Sequence, residues 1–255
     1  MIIAPKSKLL KQRQGNAPTI VQILPAMVRG GVERGTVEMA DAVQKHGGRA
    51  IVISRGGPMV RHLDRLGATH YQLDVHTKNP FRWPQVRRRL KAILSRENAD
   101  LVHVRSRVPA WIALPAAAEL GIATVSTVHG RFITPSALKR IYNRKLLKTD
   151  HVIAISNYVK DLITSQYVDV KERLTVVHRG VDIDLFNPDN VNQTRIVNFV
   201  ESLVIPEDVP VIMLPARATM WKGHRILLQA LAKIKDRPFI CLMIGAGDGK
   251  PAFVS

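Results

Sequence analysis

The sequence predicts an α/β protein with a doubly wound parallel sheet, followed by the start of a second series of strands and helices. Short β-prone runs alternate with helix-period stretches from residue 20 onwards, which is the pattern of parallel strands joined by crossover helices. The strand runs are continuously apolar, as expected where helices cover both faces of a sheet.

The first strand and helix occupy residues 20–43, where an apolar run meets Gly30-Gly31 and a helix-period pattern follows. The glycine pair therefore stands at the carboxyl end of a strand. At that edge of a parallel sheet, ligand phosphates approach the backbone N–H groups of a helix start. The pair is not part of a G-x-G-x-x-G motif, so from these residues alone a plain turn is the favoured interpretation.

The alternation continues to residue 177. Further strands are predicted at residues 50–54, 69–73, 101–104, 123–128, 151–155 and 174–177. Helices are predicted at residues 58–66, 84–97, 109–120, 135–148 and 157–168, several of them starting with proline. A second series then has strands at 209–214 and 239–244, a helix at 225–234 and a glycine loop at 245–250.

Composition and charge divide the chain into four parts. We expect a basic flexible arm at 1–18, an N-terminal Rossmann-like domain at 19–180, a linker at 181–190 and a partial C-terminal domain at 191–255. Two parallel strands and one or two helices cannot cover each other, so about half of that last domain is expected to be absent. Its unpaired strand edges predict mobility or aggregation.

The net charge of +18 lies entirely in residues 1–180, because residues 181–255 hold eight basic and eight acidic side chains. Such a field attracts nucleic acid, anionic membranes or phosphorylated substrates. The 5% aromatic content argues against stacking on nucleic acid. Of two basic helices, the one at 136–148 is the better candidate for a membrane contact, since the cations of 84–97 fall on a solvated face.

The first residues do not resemble a signal peptide, and no apolar run approaches the ~20 residues of a membrane span, so a soluble cytosolic protein is predicted. The single cysteine, Cys241, excludes an internal disulfide and is interpreted as a buried thiol.

Seven motifs in order resemble those of the retaining nucleotide-sugar glycosyltransferases of family four, also called glycosyl transferases group one, over roughly residues 19–250. They read PAMVRGGVERGTVEMADAV, DLVHVRS, STVHG, VIAISNYVK, VVHRGVDIDLF, ARATMWKGHRILLQALAKI and LMIGAGDGK. The resemblance implies the GT-B fold of two Rossmann-like domains, truncated here in the second domain. The family's base- and ribose-binding elements and glutamate pair are not found in this sequence.

The resemblance also implies site residues. Gly30 and Gly31 lie near the donor phosphates and the acceptor, and His129 approaches the transferred sugar. Arg217 and Lys222 neutralise the leaving diphosphate, and Gly247 belongs to the donor-binding loop. Without the family context, the favoured interpretation of His129 is a strand-end residue that merely caps a turn.

Three motifs are rejected as sites. Asp182 and Asp184 resemble a metal-binding D-x-D motif but fall in the family's linker, so neither a metal nor another cofactor is expected. The loop GAGDGK lacks the glycine spacing of a phosphate loop. Ser156 has no histidine or carboxylate paired with it in sequence and marks a strand-to-helix turn.

The resemblance implies transfer of a sugar, with retention, from a nucleotide-diphosphate sugar to a hydroxyl of a lipid-linked or cell-envelope polysaccharide acceptor. The N-terminal domain would contact an anionic membrane at its cytoplasmic face. Two alternatives stay open: a non-catalytic fragment that binds only acceptor or partner, and a basic nucleic-acid-binding protein.

Overall fold

The computed structural model describes residues 17–130, 136–234 and 236–245. The chain divides into two compact units, Met1–Gly180 (unit 1) and Val181–Ser255 (unit 2). None of the helices in the described ranges has the length and apolar content needed to cross a membrane.

Unit 1 alternates strands and helices along the chain. Its strands are β1 Thr19–Ile23, β2 Arg49–Ser54, β3 Thr69–Gln72, β4 Leu101–Val104, β5 Ala123–Val128, β6 His151–Ala154 and β7 Leu174–Val176. Its helices are α1 Gly31–Lys45, α2 Val60–Arg65, α3 Trp83–Arg96, α4 Arg107–Leu120, α5 Ala137–Arg144 and α6 Asn157–Thr164. Short 3-10 turns lie at Pro80–Arg82, Lys145–Leu147 and Val168–Arg173.

The seven strands of unit 1 form one parallel sheet in the order β3-β2-β1-β4-β5-β6-β7. The order runs in opposite directions on either side of β1, which is the doubly wound topology predicted from the sequence, and the prediction is confirmed. The direction reverses between β1 and β4, and in open parallel sheets the carboxyl edge at such a point is where ligands bind.

Alternate residues of the strands pack into separate apolar clusters. In β2, Ala50 and Val52 contact the cluster that includes α1 and α2, whereas Ile51 and Ile53 contact the cluster that includes α3, α4 and α6. Because successive strand residues point to opposite faces, helices cover the sheet on both sides. This accounts for the continuously apolar strands.

The helix starting with Ala137 is shorter than predicted. Its N-cap is Ser136, whose hydroxyl accepts from the backbone N–H of Lys139 at 3.2 Å. The helix ends at Arg144 and passes into a 3-10 turn, so only the middle of the predicted stretch 135–148 is α-helical. Residue 135 lies outside the described residues.

Unit 2 contains α7 Gln193–Ser202, β8 Val211–Pro215, α8 His224–Leu231 and β9 Ile240–Ile244, with 3-10 turns at Pro188–Asn190, Met220–Lys222 and Ala232–Ile234. Helix α7 was not predicted; Asn192 caps it by accepting from the backbone N–H of Thr194 at 2.8 Å. Strands β8 and β9 pair in parallel. Among the described residues of unit 2, Leu231 is the only buried apolar side chain, and strand residues such as Met213 are half exposed.

In each unit, the backbone segments that follow the first two strands approach each other closely. A Cβ atom on Gly57, which follows β2, would collide with the carbonyl of Met27, which follows β1. A Cβ atom on Gly245, after β9, would collide with the carbonyl of Ala216, after β8. Glycine is therefore required in each unit where two chain segments leave the carboxyl edge together.

Candidate functional site

Three segments of the candidate site lie at the carboxyl edge of the unit 1 sheet, each after a different strand. Gly30 and Gly31 follow β1, Arg105 follows β4, and His129 follows β5. Since β1, β4 and β5 are adjacent in the sheet, these residues share the edge at which the strand order reverses.

Helix α1 begins at the glycine pair with its first turn uncapped by a side-chain hydrogen bond. Gly30 is the N-cap, in an extended conformation. A Cβ atom there would lie 2.7 Å from Oε2 of Glu33, so the carboxylate folds over the helix start. A Cβ atom on Gly31 would lie 3.1 Å from a guanidinium nitrogen of Arg179. Small residues thus leave room at the helix N-terminus, where an anion is stabilised by the helix dipole.

A buried polar network fixes α1 against the sheet. Nη1 of Arg105 donates to Oε1 of Gln22 in β1, and to the carbonyl of Gly35 in α1 at 3.1 Å. Nε2 of Gln22 in turn donates to the carbonyl of Thr36 at 3.0 Å. Arg105 and Gln22 are buried, so these bonds hold the first half of α1 at a set position relative to β1 and β4.

A second arginine reaches α1 from the segment after β7. Arg179 donates to the carbonyl of Gly31 and, at 2.9 Å, to the carboxylate of Glu38. A Cβ atom on Gly35 would lie 3.0 Å from Arg179 and 3.2 Å from Arg105, so both guanidinium groups converge on this one helix residue. Burial first, and then the repulsion from Arg179, lowers the pKa of Arg105 to about 10.

His129 is held neutral. It is partly buried, its Nε2 atom is shielded from water, and that atom has no hydrogen-bond partner among the described residues. Burial first, and then the positive charges of Arg105 and Arg179, lower the pKa of His129 to about 3. At neutral pH its imidazole can therefore donate or accept a hydrogen bond but carries no charge.

A second buried histidine supports the same edge. Nε2 of His103 in β4 lies 2.7 Å from Oγ1 of Thr127 in β5. Burial, with Arg105 and His129 as lesser causes, lowers the pKa of His103 to about 3. The neutral ring links two adjacent strands just below the edge that carries His129.

Residues Arg105 to Arg107 and Thr127 to Gly130 line a cavity of about 180 Å³ with Leu146. The cavity therefore lies between the exits of β4 and β5, and His129 forms part of its wall. No carboxylate is among these lining residues.

In unit 2, Arg217 and Lys222 lie in the connection from β8 to α8, and both are exposed. Lys222 ends a 3-10 turn, and Gly223 (φ 83°) then starts α8 without a side-chain cap. Two cations and an uncapped helix start thus occupy one strand-to-helix connection, as a diphosphate site requires. The remaining predicted site residue, Gly247, lies outside the described residues.

Two of the three rejected motifs have hydrogen-bond partners within the described residues. The Ser156 hydroxyl caps α6 by accepting from the backbone N–H of Val159 at 3.2 Å. Asp182 accepts from the backbone N–H of Leu185 at 2.9 Å. The GAGDGK loop lies outside the described residues beyond Gly245.

The sequence analysis missed Gln22, Arg105 and Arg179 as parts of the site. Gln22 offered a usable signal, because a lone amide inside a continuous apolar strand needs a buried partner. Arg105 and Arg179 fall within two of the resembling motifs, but nothing in their spacing indicates that both reach α1.

The model of the family described as Glycosyltransferase Family 4 matches residues 29–185, more than half of the chain. The chain belongs to glycosyltransferase family 4. The match includes the glycine pair, the arginine network and His129, so the edge of unit 1 lies within the family's own domain.

Solved structures give the same result for the fold. A glycosyltransferase from Rickettsia africae is 38% identical with a TM-score of 0.83, over 94% of this chain and 63% of that one. The Anabaena protein HepE in complex with UDP-glucose is 19% identical with a TM-score of 0.74, over 92% and 63%. The neighbours are GT-B glycosyltransferases, which confirms the predicted fold class.

Among curated proteins, spore coat protein SA of Bacillus subtilis is 22% identical over 222 residues, which is 86% of this chain and 57% of that protein. The chain therefore spans about three fifths of the length of these relatives.

Proposed function

We propose that this protein transfers a sugar from a nucleotide-diphosphate sugar to a hydroxyl group of an acceptor, with retention at the anomeric carbon. The observation that carries the proposal is the family match over residues 29–185, which spans the whole carboxyl edge around Gly30 and His129. HepE, with the same fold, is named in complex with UDP-glucose, and this supports a nucleotide-sugar donor.

In this proposal the exposed cations of unit 2 act on the leaving group. Breaking the glycosidic bond leaves negative charge on the diphosphate, and Arg217 and Lys222 stabilise that charge. In unit 1, the start of α1 at Gly30 and Gly31 has no side-chain cap, and its backbone N–H groups suit an anionic ligand group. Such preorganised donors are worth most where charge develops in the transition state.

His129 has a different role because its ring is neutral. A cation beside the transferred sugar would oppose the positive charge that develops on the anomeric carbon. A neutral imidazole avoids this repulsion while it hydrogen-bonds a sugar hydroxyl. The low pKa of His129 supports a binding role and argues against a general acid at neutral pH.

Radiolabelled nucleotide sugars test this activity. Label should pass into a lipid or envelope-glycan extract, and NMR of the product should give the anomeric configuration of the donor. His129→Ala should reduce transfer at least tenfold with little change in thermal stability, because its ring nitrogen bonds no described residue. Failure to transfer from any donor favours the binding-only alternative; an inverted product rejects retention.

We further propose that the acceptor is lipid-linked and that α5 contacts an anionic membrane surface. Helix α5 is amphipathic, and an amphipathic helix usually buries its apolar residues. In α5, however, Leu138 and Ile141 are 78% and 61% exposed. Lysine and arginine side chains flank this apolar pair, as in helices that lie at a lipid interface. Lys139 packs over the ring of Tyr142 at 4.8 Å.

The other cations of α5 have structural partners. Arg140 donates to the carbonyl of Gln166 at 2.6 Å, and Arg144 pairs with Asp169 at 2.8 Å. Reversing their charge would therefore disturb unit 1 as well as any membrane contact. The exposed apolar pair is the cleaner target.

Sedimentation with vesicles of phosphatidylglycerol and phosphatidylcholine tests the membrane proposal. Binding should fall at least tenfold in Leu138→Ser/Ile141→Ser and decrease with salt, whereas Val168→Ser, at a 76% exposed control position, should bind like the wild type. Equal binding by all three proteins would reject α5 as the contact.

A further inference from the structure

The cavity between β4 and β5 has a helix start in its wall that differs from two others in unit 1. Helices α4, α5 and α6 all have serine at the N-cap. Ser136 and Ser156 each accept from the backbone N–H three residues later. Ser106 caps nothing, because the residue three positions later is Pro109, which has no N–H. Its hydroxyl is left for a ligand.

The same cavity contains a buried cation with unused hydrogen-bonding capacity. Arg105 is only 7% exposed and lines the cavity. Its Nη1 atom is bonded to Gln22 and Gly35, but its Nε–H has no partner among the described residues. A buried donor left without an acceptor is costly, and a bound acceptor group would remove that cost.

The charges around the cavity select the sign of the ligand. Arg105 and Arg107 both belong to its wall, and Arg107 is the first residue of α4, whose first turn has no acidic side chain. Burial lowers the pKa of Arg107, which means that its guanidinium is partly desolvated. Two partly desolvated cations at a helix N-terminus, with no lining carboxylate, favour an anion.

The size of the cavity is sufficient for more than water. Its volume of about 180 Å³ compares with roughly 10–15 Å³ for one water on the same measure. A phosphate or carboxylate attached to a sugar ring is of the right scale.

We propose that this cavity binds an anionic group, a phosphate or a carboxylate, on the acceptor substrate. The assignment to the acceptor rests on the proposed function, in which Arg217 and Lys222 hold the donor diphosphate. The Nε–H of Arg105, the guanidinium of Arg107 and the hydroxyl of Ser106 are the donors. The group would sit beside His129, and so the acceptor hydroxyl would be directed toward the transferred sugar.

An NMR titration of the isotopically labelled chain with inorganic phosphate, at constant ionic strength, tests the site without any donor sugar. The backbone signals of Val108 and Gly130 should shift and saturate. Arg107→Gln and Ser106→Asp should each weaken phosphate binding at least tenfold. Ser106→Asp places a negative charge at the N-terminus of α4, which the helix dipole stabilises, so its loss of binding should occur with an unchanged circular dichroism spectrum. Arg88→Gln, at an exposed arginine of α3, is the matched control and should bind like the wild type.

A parallel titration with acetate identifies the chemistry. Saturating shifts at Val108 with acetate indicate a carboxylate-bearing acceptor, and shifts only with phosphate indicate a phosphorylated one; both support the site. Equal responses in all variants, shifts that do not saturate, or shifts confined to residues 217–223 would overturn it. Phosphate binding in this cavity without any sugar transfer would support the anion site and contradict the proposed function.

Discussion

The two units differ in how far the side chains of their parallel strands are buried. In unit 1, β1, β2 and β4 are enclosed by helices on both faces, and their apolar side chains are almost completely buried. In unit 2, β8 and β9 pair in the same parallel manner, yet Val211 and Met213 are 46% and 55% exposed. Parallel pairing alone therefore does not bury a strand; the helices on the two faces do.

Polar side chains of the candidate site are likewise buried in unit 1 and exposed in unit 2. Arg105, Gln22 and His103 are buried and joined by hydrogen bonds, so their positions are set before any ligand arrives. Arg217 and Lys222 are exposed. Unit 1 therefore holds buried polar groups in fixed positions, whereas the two cations of unit 2 are accessible to solvent. Mutations of Arg105, Gln22 or His103 should therefore lower stability and function together, whereas mutations of Arg217 or Lys222 should lower function alone.

Core truncation should separate the units most strongly. Leu90→Ala, at a fully buried position of α3, should cost unit 1 about 2–5 kcal/mol because a closed cavity remains. Leu231→Ala in α8 should cost unit 2 less than about 2 kcal/mol, since its surroundings are open to water. Urea unfolding of unit 1 can be followed by the fluorescence of Trp83 and Trp111, whereas hydrogen exchange of the β8 and β9 amides reports on unit 2, because Trp221 is already 74% exposed. Equal losses would contradict the comparison.

Acid should destabilise unit 1 through its neutral histidines. The pKa values of His103 and His129 are about 3 in the folded chain, below the ordinary 6.5. Between these values the unfolded chain binds more protons, so stability is complete above about pH 6.5 and falls as the pH decreases toward 3. Each histidine should contribute about 1.4 kcal/mol per pH unit in that window.

The corresponding variant is His103→Gln, which should flatten the pH dependence of the unfolding free energy between pH 6 and 4.5. His178→Gln, at an exposed histidine of unit 1, serves as the control. If His103→Gln retains the wild-type slope, the histidine is not the acid-sensitive group.

The two arginines that converge on Gly35 allow the same comparison within one unit. Arg105→Met should cost about 1–3 kcal/mol, because the buried oxygens of Gln22 and Gly35 lose their donor. Arg179→Met should cost within about 1 kcal/mol, as its ion pair with Glu38 is largely exposed. Thermal unfolding of the two variants should show the difference. A larger effect of Arg179→Met would assign the anchoring of α1 to the segment after β7.

Most of unit 1 could be predicted from the sequence because its signals are local. Strands β4 and β5 match the predicted ranges 101–104 and 123–128, since continuous apolar runs ended by polar residues define them. Helix α7 was missed although apolar residues recur in it at helical spacing, and none of its described side chains is buried. The predicted helix 109–120 starts two residues earlier in the structure, at Arg107. Proline is accepted throughout the first helical turn, so Pro109 does not mark the first residue of α4.

The site was predicted less completely. His129 could be placed at the sheet edge because it directly follows β5, and Gly30 because it precedes the first helix after β1. The convergence of Arg105 and Arg179 on Gly35 depends on side chains from the exits of β4 and β7 meeting in three dimensions, and no sequence spacing encodes that. The unused hydroxyl of Ser106 was readable in principle, since Pro109 removes the N–H that it would otherwise cap.

The proposed role of Arg217 and Lys222 is tested most directly by measuring the release of nucleoside diphosphate from UDP-, ADP- and GDP-linked hexoses. The wild-type chain should consume at least one donor. Arg217→Ala and Lys222→Ala should each lower the rate by roughly 10²-fold or more, the scale of losing one preorganised donor to developing charge. Both variants should retain the wild-type unfolding free energy within about 0.5 kcal/mol, because the two side chains are exposed. Near-normal turnover in both variants, or activity lost only in proportion to stability, would contradict the assignment of these cations to the leaving diphosphate.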